Sequence, residues 1–292
     1  MNINLVHGEN HHQNASIEPH DNIIDYQVNG ELTYIQVLSL LKGLSLMSEF
    51  YDVKAACTIK GSGICAAALG QSLADAVQKV MDSNPIDFLN SVIVVSSEVD
   101  SEIARFLKNT NVIAAPSYTK NALEILDTKG VAYVTIKTPL KDYKQYLSDE
   151  VKTTPLGTLI QSPNLSNLDK DTFKVVSKQK PTTEQIEDAV FAWKVAKHCS
   201  SQAIVVAKDL KTAAIAQGLQ SASVEFALDY SCDMSKDAIL ASDMLISTHD
   251  INVASQGRIG LVIVPDAGKE IISLADKYNM VLITTGITNI LY

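Results

Sequence analysis

Lys60 closes the apolar run Ala55-Ala56-Cys57-Thr58-Ile59 and is followed at once by Gly61-Ser62-Gly63. A primary amine at a strand end sits where open α/β sheets place their ligands. The alanine-rich stretch Ile64 to Val80 predicts a helix over 64–81, so the local pattern is strand, glycine turn, helix. In that arrangement bare turn N–H groups approach an anion and the helix N-terminus adds partial positive charge. The same residues also fit a tight turn carrying a solvated lysine. Gly61-x-Gly63-x-x-Ala66 further fits the dinucleotide fingerprint, although Glu98 lies too far on to be its ribose-binding acid.

Other polar residues have competing readings. His7 and His11 have the i, i+4 spacing of a metal pair, with His12 beside them. Gly8 opposes a helix there and Glu9 is the one close acid, so a surface or structural role is expected and no metal. His20, His198 and His249 have no metal-motif context. Asp250 follows Thr248-His249 at the end of the apolar run Met244 to Ile246, a ligand-facing position at a strand end. It equally fits an N-cap for a helix opening at Asn252.

The elements that must position these groups alternate. Glu31 to Phe50 reads as a helix with a broad apolar stripe. Strand 53–59, helix 64–81, strand 92–97, a short helix near 99–107, strand 112–115, helix 119–128 and strand 131–136 follow. Near-continuous Val, Ile and Ala strands between helices indicate an internal sheet covered on both faces. Thr138 to Thr183, with Pro139, Pro155, Pro163 and Pro181, reads as a connection holding one hairpin. Thr182-x-x-Gln185 predicts a capping box opening a helix through His198. Strand 203–207, helix 212–228, strand 243–247, strand 260–264, helix 269–278 and strand 280–285 complete the chain. The halves echo one another: Lys60 precedes Gly70 by ten residues, and Lys208 precedes Gly218 by ten.

Composition sets bounds. The 292 residues are 46% hydrophobic and 20% charged, which suits one large globular domain or two lobes. A formal net charge of −9 argues against nucleic-acid and anionic-membrane partners, which need a basic face. No apolar stretch reaches membrane-spanning length, and the start lacks the basic region of a signal peptide. Cys57, Cys65, Cys199 and Cys232 are scattered without a C-x-x-C pair, as expected of reduced thiols in a cytoplasmic protein.

These segments together resemble a known family. His7-Gly8-Glu9-Asn10-His11-His12-Gln13 is similar to the Tyr-Gly-Glu-Asn-Pro-His-Gln start of the formyltransferase domain of the bifunctional purine biosynthesis enzyme. That domain is the aminoimidazole carboxamide ribotide (AICAR) transformylase. Ile59-Lys60-Gly61-Ser62 with Cys65 resembles its Ile-Lys-His-x-Asn-Pro-Cys-Gly, and Glu98-Val99-Asp100 its Glu-Val-Asp. Lys174-Val175-Val176-Ser177-Lys178 and Phe191-Ala192-Trp193-Lys194-Val195 with Lys197-His198 resemble two further segments in the same order. Ala241-Ser242-Asp243 and Thr285-Gly286 also fit, so the resemblance covers nearly the whole chain. It starts at the formyltransferase portion, with no counterpart of the cyclohydrolase domain.

The resemblance implies an α/β fold of two cytidine-deaminase-like lobes without zinc, each a mostly parallel sheet covered by helices. The expected boundaries are 1–150 for the first lobe and 151–292 for the linker and second lobe. It implies a homodimer with active sites at the subunit interface, and formyl transfer from 10-formyltetrahydrofolate, a co-substrate, to a ribotide amine. Lys60 and Asp250 are the implied catalytic residues. His7, Gly8, Glu9, Asn10, Gly61, Ser62, Gln202 and Gly218 are the implied substrate-binding residues. Gly61 stands where the family has its acid–base histidine, and Gln202 where it has asparagine. The family's Arg-Tyr-Gly is Val6-His7-Gly8 here, and its Gly-Gln-x-Ser-Arg is Gly218-Leu219-Gln220-Ser221-Ala222. Its terminal Arg-His-Phe-Arg-His is Thr288-Asn289-Ile290-Leu291-Tyr292. The alternative expectation is a catalytically impaired member that binds a nucleotide- or folate-like ligand as a dimeric scaffold.

Overall fold

The computed structural model describes residues 2–168, 172–219 and 222–291. Gln220 and Ser221, in the segment that stands for the family's Gly-Gln-x-Ser-Arg, and the terminal Tyr292 lie outside the described residues. The first half runs β1 (Ile3–Asn4), β2 (Ser16–Ile17), β3 (Tyr26–Asn29), α1 (Tyr34–Met47), β4 (Lys54–Lys60), β5 (Gly63–Gly70), α2 (Leu73–Ser83), α3 (Pro85–Phe88), β6 (Val92–Val95), α4 (Ser101–Leu107), β7 (Val112–Ala115), α5 (Lys120–Lys129) and β8 (Ala132–Ile136). A 3-10 segment (Leu140–Tyr146) leads to a separate hairpin, β9 (Glu150–Thr154) and β10 (Gly157–Gln161), that leaves Leu156, Leu159 and Ile160 exposed. The second half runs β11 (Lys174–Val175), α6 (Thr183–Lys197), β12 (Ala203–Lys208), β13 (Lys211–Gln217), α7 (Ser223–Ser231), β14 (Ile239–Ser242), α8 (Thr248–Gln256), β15 (Leu261–Val264), α9 (Lys269–Lys277) and β16 (Val281–Thr284).

Twelve strands form one sheet in the order β11-β16-β15-β14-β12-β13-β5-β4-β6-β7-β8-β3. Outward from the central β13–β5 pair, each half repeats one plan: a hairpin, two parallel strands beyond its neighbour, and an antiparallel edge strand. The expectation of mostly parallel sheets is corrected. Among the strands of this sheet in the described residues, parallel pairing is confined to β6–β7–β8 and β14–β15–β16, and the remaining pairings are antiparallel. The reason lies in the two hairpins, which occupy the ground where crossover helices were expected.

Both faces of the sheet are covered. Val92 and Val94 of β6 join a core cluster with Leu44 of α1 and Trp193 of α6, while Ile93 and Val95 join one under α2 and α4. That alternation is the period-two geometry of a strand buried on both sides. The α1/α6 core is continuous across both halves, whereas each half has its own core on the opposite face. Gly43 lets α1 close on the sheet: a Cβ there would stand 2.4 Å from Val94 Cγ2 and 2.7 Å from Ile59 Cδ1. All four cysteines are free. No helix among the described residues is long and apolar enough to cross a membrane.

Candidate functional site at one end of the central seam

The helix expected over 64–81 is instead strand β5, and α2 begins only at Leu73 with Ser72 as N-cap. The Gly61–Gly63 turn therefore leads into a strand and not into the N-terminus of α2. Alanine favours helices in isolation, but Ala66, Ala67 and Ala68 are buried at the centre of the sheet, and tertiary context overrides the propensity. The helix expected over 212–228 divides in the same way, into β13 and α7.

What the glycines make is a hairpin turn. Lys60 pairs with Gly63, and both central residues are left-handed, Gly61 at φ 55° and Ser62 at φ 66°. Two positive φ values in a two-residue loop match the twist of the flanking strands. Ser62 N–H donates to Ser39 Oγ of α1 at 3.3 Å, which seats the turn against that helix. Gly61 is open: a Cβ built there meets nothing within 4 Å.

The Lys60 amine lies 3.0 Å from Asp87 Oδ1, with the two side chains 46% and 38% exposed. Asp87 is itself fixed, since its Oδ2 accepts from Asn84 Nδ2 at 3.1 Å and its N–H donates to Asn84 Oδ1 at 3.1 Å. The side-chain partner of the lysine is thus a carboxylate and not a histidine. Cys65 lies in the same electrostatic neighbourhood. Burial and then the Asp87 charge push its thiol up to about 12, which disfavours the thiolate.

The antiparallel contact of β5 with β13 brings the start of one strand to the end of the other. Gln217, which sequence reasoning missed, ties the two there. Its Nε2 donates to Ile64 O at 2.9 Å and its Oε1 accepts from Ser200 N–H at 3.2 Å. Gln202 and Gly218 meet at the same place, with Gly218 N–H donating to Gln202 O at 3.3 Å. Lys60, Gly61 and Ser62 from the first half and Gln202 and Gly218 from the second therefore share one end of the seam.

The other expected residues are arranged around separate supports. His7 O accepts from Tyr34 N–H at the start of α1, and Gly8 N–H donates to Gln13 O at 2.8 Å. Asn10 donates through its N–H (2.8 Å) and its Nδ2 (2.9 Å) to Gln13 Oε1, and Glu9 is exposed beside it. This loop and the Lys60 turn are both held by α1, at Tyr34 and at Ser39. The strand expected over 243–247 lies earlier, at Ile239–Ser242, and Ser247 rather than Asp250 is the N-cap of α8. Asp250 Oδ2 accepts from Ser247 N–H at 2.6 Å and Ser247 Oγ at 2.8 Å, so this carboxylate closes a capping box. His249 Nε2 is 2.6 Å from Glu225 Oε1, and that hydrogen bond raises the imidazole above its usual range.

Sequence reasoning also missed a buried charge cluster that fastens the halves together. Glu49 Oε1 lies 2.8 Å from Lys197 Nζ, 3.0 Å from Lys144 Nζ and 3.4 Å from His198 Nε2. Glu49 is 7% exposed and Lys197 3%. Burial opposes ionisation of Glu49, but the bonds and charges of His198 and Lys197 outweigh it and hold the carboxyl well below its usual range. Burial pulls His198 down, against the pull of Glu49. An apolar cavity of about 430 Å³ lies elsewhere, between Ile24, Leu40, Leu44 and Tyr143, and Lys60 does not line it. Among the described residues no three His, Cys, Asp or Glu side chains gather as a metal site.

Comparison with known proteins puts this seam in a family context. The family model described as AICARFT/IMPCHase bienzyme matches residues 2–229. The bifunctional purine biosynthesis protein PurH of Caldicellulosiruptor saccharolyticus is 33% identical over 97% of this chain and 58% of its own length. The PurH proteins of Anoxybacillus flavithermus, at 29% over 97% of this chain, and of Dictyostelium discoideum, at 30% over 99%, are similar as well. The chain spans 58% or 57% of the length of these relatives. Both the extent of the family match and the identity to the first of these relatives lead to one assignment: the chain belongs to the AICARFT/IMPCHase bienzyme family.

Proposed function

We propose that the chain is an AICAR formyltransferase-like protein of purine biosynthesis, moving a formyl group from 10-formyltetrahydrofolate to the amine of a ribotide. The observation that carries this reading is the convergence of Lys60, Gly61, Ser62, Gln202 and Gly218 at one end of the seam, in a chain of this family. In the reaction the ribotide nitrogen bonds to the formyl carbon and gives up a proton. The bond from that carbon to the folate nitrogen breaks, and that nitrogen takes a proton. The Lys60 amine is suited to the formyl oxygen, where negative charge develops. On this reading Gln202 and the open Gly61 backbone offer hydrogen bonds to the ribotide, the His7–Asn10 loop binds it, and Asp250, held in the α8 capping box, assists proton movement. On this reading the halves are cytidine-deaminase-like lobes, 1–150 and 151–292, of a cytoplasmic homodimer.

A second reading, a ligand-binding scaffold without turnover, is favoured by one specific observation. The Lys60 amine is occupied by Asp87, and Gly61 supplies no acid–base group beside it. Acid–base groups contribute roughly 10²–10⁴ in rate. Titration with AICAR and with a folate analogue, followed by a formyl-transfer assay, separates the readings. Saturable binding with turnover supports the enzyme, and saturable binding without turnover supports the scaffold. Gly61→His sharpens the result. The position is sterically open, and histidine is among the residues enriched in left-handed backbone. A gain in turnover at unchanged binding identifies the missing base as the deficit.

A further inference from the structure

The two hairpins hold their lysines in different ways. Lys208 opens the β12–β13 turn as Lys60 opens the β4–β5 turn, and its amine donates to the backbone carbonyl of Lys236 at 2.8 Å. A neutral carbonyl is therefore sufficient to fix a turn lysine in this fold. Lys60 instead meets the charged carboxylate of Asp87 at 3.0 Å, and Asn84 holds that carboxylate on its second oxygen. Tyr230 of α7 adds no positive charge nearby, and its phenol is raised by burial and by the charge of Asp87. Gln217 and Ser62 are neutral, and Ser39 is a buried hydroxyl. The amine at the mouth of the turn is thus electrically cancelled by one side chain.

We propose that Asp87 is a specificity-determining residue that masks the Lys60 charge, so that this end of the seam accepts a neutral polar group, such as a carboxamide or formyl oxygen, and disfavours a fully ionised group such as a phosphate. The inference rests on the functional assignment of the Lys60 turn made above. An incoming anion must either displace Asp87 from Lys60 or approach an ion pair of no net charge. A carbonyl oxygen needs only one of the amine's remaining N–H donors, which the ion pair leaves free. Asp87 touches Lys60 in this structure, so it acts on a ligand through that amine and through its own field.

The test uses Asp87→Asn, which keeps an oxygen acceptor for Lys60, as Lys236 O does in the other half, and removes the charge. The probes are inorganic phosphate, AICAR, and the uncharged riboside of AICAR, titrated at low and high salt. The expected result is a gain of roughly fivefold or more in affinity for phosphate, the effect of one unit charge a few Å away in water. The gain shrinks as salt screens it. Affinity for the riboside stays within twofold, and Lys60→Met in the Asp87→Asn background removes the gain. Equal phosphate affinity in parent and variant, or no phosphate binding by either, overturns the proposal. A phosphate gain without any binding of AICAR or its riboside leaves the mask standing and contradicts the ribotide reading. AICAR binding together with phosphate binding that is indifferent to Asp87 does the reverse.

Discussion

The two hairpin turns at the centre of the sheet share a backbone and differ in what holds them. Asp209 and Leu210 have φ values of 54° and 55°, nearly those of Gly61 and Ser62. Each turn is seated on the long helix of its own half, at the same step after that helix's N-cap: Ser39 after Thr33, and Asp188 after Thr182. In the second half the Asp188 carboxylate takes both turn amides, Asp209 N–H at 3.0 Å and Leu210 N–H at 2.7 Å. In the first half the Ser39 hydroxyl takes one, from Ser62 at 3.3 Å. The closed turn carries Lys208 on a carbonyl, and the looser turn carries Lys60 on a carboxylate beside Gln217. A repeated scaffold has thus been locked on one side and left partly unsatisfied on the other, which is where ligand-binding groups are expected.

The junction of the halves offers the hardest test of that picture. Glu49→Gln leaves the buried Lys197 amine without its counter-charge and is expected to cost about 3–5 kcal/mol, read from urea unfolding. Because the cluster joins both halves, the loss should appear in one cooperative transition, and two separated transitions would show that the halves fold independently. The pH dependence has a definite sign. The Glu49 carboxyl is depressed in the folded chain, so its contribution is full above the usual 4.5 and is lost as pH falls through the folded value. His198 is also depressed, so the unfolded chain takes up its proton first, and stability declines as pH falls below the usual 6.5. His198→Gln should flatten the upper part of that decline, and Glu49→Gln the lower part.

Exchanging the anchors probes the turns themselves. Asp188→Ser removes charge-assisted bonds to two amides and is expected to cost about 1.5–3 kcal/mol. In the parent chain, amide hydrogen exchange should be slower at Asp209 and Leu210 than at Gly61 and Ser62, and Asp188→Ser should erase that difference. Ser39→Asp should slow exchange at Gly61 and Ser62 if the first turn is merely under-anchored, and unchanged exchange would break the comparison. The smallest effects belong to features the halves share. Thr33→Ala and Thr182→Ala each remove the hydroxyl of a complete capping box, and each should cost about 1 kcal/mol. A large inequality between them would show that the helices are not equivalent supports.

Much of the scaffold was legible where local signals and burial agree. Val112–Ala115 is a strand as read, and Thr182-x-x-Gln185 opens α6. The same Thr-x-x-Gln pattern at Thr33 went unread, although it caps α1 identically. The stretch 64–70 misled because its alanines suit both a helix and a tightly covered central strand. Lys-Gly-Ser-Gly between two apolar runs was the overlooked hairpin signal. Strands β3 and β11 left no clear mark, since they are short edge strands defined by pairing with distant β8 and β16. Lys60 could be found because it ends an apolar run. Asp87 and Gln217 could not, because their roles depend on contacts with residues far along the chain.

The claim that function resides at the Lys60 end of the seam, and not at its Lys208 counterpart, is tested most directly by AICAR titration of two variants. Lys60→Ala should weaken binding severely, since it also leaves the Asp87 charge uncompensated, while Lys208→Ala should bind as the parent does. Equal affinities for the two variants, or a greater loss in Lys208→Ala, would contradict the account.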